Sequence, residues 1–399
     1  MGNADDVIIV FNGQPFAGYL SFTADQGFDK AVGHAQVTVS AQPGRPFPVK
    51  VGTTAQILLG SILQPVITGH VKSVNGDDDL AKHQYQLEIM CKTRDAVEST
   101  IGPGNAFKPP VTLKQVMEKT LKNMGQSGIK VIDDASPEPY GSAEVPVGAI
   151  DQTGFDYFDQ WTKKRGVVLG TDGKGNFKIQ KNKKQRGPGM LFRSWEDNPR
   201  NNILSARYKQ TDQDRFNKTS VASQHSQNDM DHWEGQDKGA AAAQPDKHAN
   251  RYGVATDTGV RPERQKHIRG QKGMAGKTPK GAAKWRSNLA RSRGFQYTAR
   301  VQGFEMAPGV LWWPGFIIPV FDTHYDLSAE LLIVDVKWTK DLNKGAITEV
   351  SLTYDDAFTD SEAGPKGSKT TKAGAGSTDS GEYGEADSSD VDDNDPGGV

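Results

Sequence analysis

The chain has 399 residues, too many for one small core, and 48 Lys+Arg nearly balance 49 Asp+Glu, so bulk charge singles out no polyanionic partner. A single cysteine, Cys91, excludes an internal disulfide and a cysteine-rich zinc site, and fits assembly in a reducing cytosol. The opening MGNADDVIIV has no basic region ahead of a long apolar stretch, so no signal peptide is expected. No run nears the roughly 20 apolar residues of a membrane span, so no membrane insertion is expected either.

In chain order, the first stretch is β-like. Val7 to Phe11 is apolar, Asn12-Gly13 is a hairpin signal, and Pro15 to Phe22 returns. HAQVTVSAQ alternates, with Ala35, Val37 and Val39 on one face. AQILLG, QPVITGHVKSV and HQYQLEIMC follow at short intervals between Gly, Asn and Asp. Short strands so punctuated predict a barrel or sandwich over residues 1–97.

After GPGNAFKPP the period changes. Leu113, Val116, Met117, Leu121 and Met124 fall at helical spacing, Thr112 with Gln115 forms a capping box, and Gly125 supplies a stop. QTGFDYFDQWTKKRG predicts a second helix, its acids early (Asp151, Asp156, Asp159) and its bases late (Lys163, Lys164, Arg165). VVLG-TDGKGN-FKIQ then reads as a hairpin. Helix, strand, helix and hairpin make a small α+β domain over 98–192.

From Asn202 the pattern is β-like again, in NILSARYKQ and NKTSVAS. A Gly-, Ala-, Gln- and Lys-rich stretch at about 225–285 interrupts it and is expected to be flexible and to build no core. Strands resume at GFQYTARVQGF, FIIPVFD, ELLIVDVKWTK and ITEVSLTYDD, giving a third domain over 193–358. Residues 359–399 are Ser, Gly and Asp with almost nothing apolar, and predict a disordered acidic tail.

Two distant stretches repeat the same features in the same order. Gly52 and Gly315 each open a strand. A second strand ending in Val71-Lys72 or Val336-Lys337 follows, then a polar turn, an alternating strand, and an Asp-Ala pair at Asp95-Ala96 or Asp356-Ala357. The architecture expected is mixed but mainly β: two related β domains with an α+β domain inserted between them. In this alignment the apolar GVLWWPGFIIPVFD sits at a strand entry, with Pro314-Gly315 as turn chemistry. Trp312 and Trp313 point to opposite faces, one filling the core and the other free to anchor a neighbouring subunit.

No nucleophile elbow, Walker A loop, His-Glu-x-x-His or Rossmann fingerprint occurs, and the eight histidines do not cluster at metal spacing. GTDGKGN lacks the later acidic ligand of a calcium loop. No catalytic, metal or cofactor-binding residue is therefore assigned, and the chain is not expected to be an enzyme. Residues 261–293 hold eleven Lys/Arg against one Glu, with Trp285 as their one aromatic. This segment suits a protein contact, a solvated loop or phosphate neutralisation. Trp285, Arg286, Arg291 and Arg293 join Trp312 and Trp313 as interface candidates.

The chain resembles the baseplate hub proteins of Mu-like contractile phage tails, the tail protein D and P types. The motifs that carry this are G-x-L-W-x-P-G (Gly309 to Gly315), LLIVDVKW, and KG-x-x-T-x-x-x-L (Lys344 to Leu352), with YTARVQGF upstream. TLKQVMEKTLKNMG and DYFDQWTKKRGVVLGTDGKGNFKI look like the family's middle module, so the match spans about residues 5–358. The basic insertion and the acidic tail depart from it.

The resemblance implies two tail-tube-like β-barrel domains per chain. It also implies a homotrimer forming a pseudo-hexameric ring, and a place in the virion baseplate after assembly in the host cytoplasm. The implied partners are the tail tube protein, the central spike protein, and the tape measure and baseplate wedge proteins, with genomic DNA only passing through the channel. Two alternatives stay open: a cell-wall-degrading tail hub enzyme, and a nucleic-acid-binding protein acting through residues 261–293.

Overall fold

The computed structural model describes residues 3–40, 47–78, 83–104, 106–141, 145–148, 151–222, 252–269, 279–341 and 345–359. The acidic C-terminal segment from residue 360 and the 225–251 part of the insertion lie outside the described residues.

The N-terminal β segment forms as its alternation predicts. Strands β1 (Val7–Phe11) and β2 (Gln14–Phe16) turn at Asn12-Gly13, both with positive φ of 47° and 78°. β3 (Tyr19–Gly27), β4 (His34–Ser40), β5 (Thr54–Leu59), β6 (Gln64–Asp78) and β7 (His83–Cys91) follow. Ala35, Val37 and Val39 are fully buried while Gln36 and Ser40 are exposed, so one face of β4 carries the core.

A short helix α1 (Thr93–Glu98) leads into the middle domain. Helix α2 (Leu113–Asn123) starts on the expected capping box. The Gln115 N–H donates to Thr112 Oγ1 at 3.2 Å and the Thr112 N–H to Gln115 Oε1 at 2.9 Å. Such a cap contributes about 1 kcal/mol. Helix α3 (Gly154–Lys164) is capped by Thr153 and buries Tyr157, Phe158 and Trp161 against β8 (Val131–Asp133), β9 (Val168–Thr171) and β10 (Phe177–Gln180). In that sheet β10 is central, parallel to β8 and antiparallel to β9. GTDGKGN is a turn rather than an ion loop: the Asp172 carboxylate accepts from the Lys174 and Asn176 N–H groups and from Asn176 Nδ2.

The third segment contains β11 (Leu191–Arg193), β12 (Ile203–Gln210), β16 (Phe295–Gln302), β17 (Glu305–Ala307), β18 (Val310–Leu311), β19 (Ile317–Asp322), β20 (Leu327–Asp341) and β21 (Gly345–Tyr354). Between β12 and β16 lie β13 (Lys218–Ala222), β14 (Tyr252–Thr256), β15 (Gln265–Arg269) and helix α4 (Pro279–Arg293). This corrects the expectation that about 225–285 builds no core. β14, β15 and the start of α4 fall inside that stretch and form a small sheet with β13, covered by the helix. The contact works because the residues are small. Val221, Ala255, Ala282 and Ala283 pack together, and a Cβ on Gly253 would fall 1.9 Å from the Pro279 carbonyl carbon. Arg215 and Asp257, each 5% exposed, lock the unit through a bidentate pair at 2.8–3.1 Å.

The two β segments share one sheet of 13 strands, in the order β12-β16-β21-β20-β3-β4-β7-β6-β5-β1-β2, with β19 on β20 and β11 on β19. One apolar core runs under both, from Ile9, Ile57 and Leu87 to Tyr297, Trp338 and Leu352. The mainly β class expected from the sequence is what forms.

Candidate assembly interface

The duplication inferred from the sequence is found as a repeated strand order, with one correction: the matching slips set Val71 against Ile333, so the counterpart of Val336-Lys337 is Val74-Asn75 and not Val71-Lys72. In the first half the neighbours run β3-β4-β7-β6-β5-β1, and in the second β12-β16-β21-β20-β19-β11. β6 and β20 are both 15 residues long, and each opens after a glycine turn and a six-residue strand, with Gly52 at φ 84° and Gly315 at φ 98°. Two of the irregularities repeat, while the slip of β5 against β6 between Ile57 and Leu58 has no counterpart in β19 and β20. β3 slips against β4 between Tyr19 and Ser21, and β12 slips against β16 between Ile203 and Ser205. β6 slips against β7 between Val71 and Ser73, as β20 does against β21 between Ile333 and Asp335. Conserved bulge positions fix the register of one half on the other.

The halves are joined where β20 outruns β19. Its first part pairs with β19 (Leu327 to Leu332), and Asp335 to Asp341 then pair with β3, from Asp335 opposite Gly27 to Asp341 opposite Ser21. Trp338, fully buried, sits opposite Ala24, a large residue against a small one. On the other face of the sheet the side chains are polar and their charges largely cancel. Lys30 meets Asp335 at 2.9 Å, Lys72 meets Glu88 at 2.9 Å, and Arg300 meets Glu349 at 3.6 Å. Hydrogen bonding to Lys72 holds the Glu88 carboxyl below its ordinary range, against a smaller desolvation effect.

His34 Nδ1 lies 3.2 Å from Asp25 Oδ1, and its Nε2 lies 3.5 Å from Glu88 Oε1. The Asp25 bond, opposed by partial burial and aided by both carboxylates, raises the imidazole above its ordinary pKa, with Lys72 acting weakly the other way. A raised folded value means that this group adds stability below about pH 6.5 and loses it as pH rises through the folded pKa. His34→Gln is therefore expected to destabilise the protein more at about pH 5.5 than at about pH 9 in urea unfolding, by a few tenths of a kcal/mol given the exposure of the site. Equal losses at both pH values would remove the ion pair from the account.

Besides the end strands β2 and β11, two stretches of sheet edge are open at corresponding places in the two halves. The part of β6 beyond Val71 pairs with β7 on one side, and no described strand covers its other side. β12 is the terminal strand of the sheet, with Leu204, Ser205, Arg207, Lys209 and Gln210 exposed. The Tyr325 hydroxyl donates to the Ala206 carbonyl at 3.2 Å there. Exposed edges are pairing templates.

The six interface candidates separate. Trp312 is buried in the main core and Trp285 in a cluster with Phe28, Leu332 and Phe358. Trp313, half-buried, stands 5.6 Å from the Trp338 ring and reaches Gly173, where an added Cβ would meet its Cη2 at 3.0 Å. It therefore docks the middle domain's hairpin turn onto the large sheet. Arg291 approaches Asp356 at 3.6 Å and lies over the Tyr354 ring. Arg286 and Arg293 are exposed, and with Lys209 and Lys266 they line a cleft between β12, the small sheet and α4. Sequence reasoning singled out the tryptophans by their bulk and missed the edges of β6 and β12, whose signal is the duplicated order itself. Among the described residues no group of three His, Cys, Asp or Glu is placed to hold a metal, and no described helix is long and apolar enough to cross a membrane.

No family model matches the chain, and no curated protein matches it in sequence. The structure superposes on the 43 kDa tail protein of prophage MuSo2 from Shewanella oneidensis with a TM-score of 0.69 at 22% identity, covering 88% of this chain and 99% of that one. A tail protein from Neisseria meningitidis MC58 gives a TM-score of 0.70 at 16% identity, covering 88% and 97%. This is the fold of phage tail proteins. The tail-protein fold extends to an E. coli component of the type VI secretion system described as structurally similar to the T4 tail proteins gp27 and gp5. There the TM-score is 0.50 at 10% identity, over 87% of this chain and 76% of that one. At these coverages the tail-protein fold takes in both halves of the large sheet and the domain between them.

Proposed function

We propose that the chain is the structural hub of a contractile phage tail baseplate, a homotrimer whose six β halves make a pseudo-hexameric ring between the tail tube and the central spike. The observation that carries this is the strand-for-strand duplication, in which the halves are already joined side by side through β3 and β20. Three such chains supply six equivalent units, matching a sixfold tube above and a threefold spike below. The tail-protein fold supports the setting, and the spike, tube, tape measure and baseplate wedge proteins are the partners it suggests. In the ring the polar face with its paired charges lines the channel, a wall that DNA passes without strong attachment. The role is mechanical, within the virion, and needs no catalytic group.

The test is mass in solution by light scattering after size exclusion. Three chains of 43.3 kDa give about 130 kDa, with ring-shaped particles in electron micrographs. A stable dimer contradicts the threefold arrangement. Steeply salt-dependent DNA binding, lost on deleting residues 261–293, would favour the nucleic-acid reading instead.

A further inference from the structure

The join inside one chain specifies the join between chains. Because the four strands β3-β4-β7-β6 match β12-β16-β21-β20, all antiparallel and with slips at two corresponding places, each residue of the β3–β20 seam has a counterpart. Through their partners on β4 and β16, Ser21, Phe22, Thr23, Ala24 and Asp25 correspond to Ser205, Ala206, Arg207, Tyr208 and Lys209, and Gln26 and Gln210 follow one residue on in the same register. Through their partners on β7 and β21, Val336, Lys337, Trp338, Thr339 and Lys340 correspond to Val74, Asn75, Gly76, Asp77 and Asp78. Inside the chain β20 covers β3. Its counterpart β6 and the counterpart of β3, β12, are both open on the corresponding sides.

We infer that β12 of one copy adds to β6 of the next, antiparallel, with Val74 opposite Gln210, Gly76 opposite Tyr208 and Asp77 opposite Arg207. The inference rests on the trimeric hub reading and gives it a register. Three properties of these residues support it, each independent of the strand order.

First, Val336 opposite Gln26 recurs as Val74 opposite Gln210, the same two residue types. Second, bulk is conserved across the seam while its side is exchanged. Inside the chain Trp338 faces Ala24; between chains Gly76 faces Tyr208. Gly76 carries no side chain of its own and lies under the Tyr85 ring, which an added Cβ would meet at 3.0 Å, so Tyr208 packs beside that ring. Third, the charges are complementary. Lys337 faces Asp25 in the internal seam, and the proposed one sets Asp77 against Arg207, an exposed guanidinium that meets no carboxylate among the described residues. Opposite charges directly across a strand pair stabilise it and like charges weaken it. Closing the seam frees Ala206 from the Tyr325 hydroxyl, one 3.2 Å contact exchanged for a ladder of main-chain bonds.

The experiment introduces cysteines in pairs, which the native chain permits because its one thiol, Cys91, is buried. The full-length double variant Asp77→Cys/Arg207→Cys, mildly oxidised, is expected to run as covalent dimers and trimers on a non-reducing gel. Each single variant should stay monomeric there. The out-of-register pair Asp77→Cys/Lys209→Cys is expected to link at least about tenfold less, since cross-strand disulfides tolerate Cα separations only to about 7 Å. In parallel, Arg207→Asp is expected to weaken trimer formation about tenfold or more over three seams, and Asp77→Arg/Arg207→Asp to restore the native mass. A native trimer with no in-register linking and no rescue by the charge swap overturns this seam while leaving the hub reading in place. A stable dimer overturns both.

Discussion

Replacing Asp322 by alanine is expected to cost about 3–5 kcal/mol, the range for removing one partner of a buried ion pair. Asp322 is fully buried at the end of β19, and its carboxylate accepts from three other segments. Arg193 of β11 donates through Nε at 3.0 Å and Nη2 at 2.7 Å, the Tyr297 hydroxyl of β16 at 2.7 Å, and the His324 N–H at 3.0 Å. Burial first, and the Asp322 carboxylate after it, keep the Tyr297 hydroxyl protonated far above the usual tyrosine range. Deleting the carboxylate leaves a guanidinium only 17% exposed with no counter-charge and strands the buried hydroxyl. Tyr297→Phe removes one donor to a group that keeps its other bonds, and should cost about 1–2 kcal/mol. Thermal or urea unfolding of both variants checks the ranking, and equal losses would mean that the carboxylate is not the hub of this network.

The second large effect is expected at Trp338. Its indole is fully buried on β20 opposite Ala24, packed near Trp313, where the two halves meet. Trp338→Ala removes the largest side chain of the junction and leaves a cavity that strands fixed on both sides cannot close, for a cost of about 3–5 kcal/mol. The loss should also be local in kind. Backbone amides of β3 and of Asp335 to Asp341 are expected to exchange hydrogen faster than those of α2 and α3, which belong to a separate core. Uniform acceleration across the chain would show that Trp338 supports general stability rather than this junction.

Much of this was legible in the sequence, for reasons that differ from element to element. The strands β4 to β7 and β19 to β21 are set by local alternation, and their glycine turns at Gly52 and Gly315 stand at matching places. The Thr112–Gln115 box marks a helix start because both partners lie within one turn. Of the small sheet, β13 was legible in NKTSVAS, but β14, β15 and their packing were not. Its core is alanine and valine, too small to give a periodic signal, and Arg215 and Asp257 are 42 residues apart. Trp285, an interface candidate by sequence, is buried by Phe28 and Phe358, which nothing near it in sequence announces. The edges of β6 and β12 are defined by what does not pair with them, a property that only the assembled sheet possesses.

The seam between β3 and β20 also has a history in time. Its strands are separated by roughly 300 residues of chain, and at about 5–20 residues per second a ribosome takes on the order of 15–60 seconds to deliver the second after the first. For that interval the outer edge of β3 in the nascent chain has no partner, with the apolar Phe22 and Ala24 on one of its faces. Asp25 places a charge on that nine-residue edge, which disfavours pairing with a neighbouring nascent chain. Any fragment ending before Asp335 keeps that edge open, so the part of β20 made late in synthesis closes a strand made at its start.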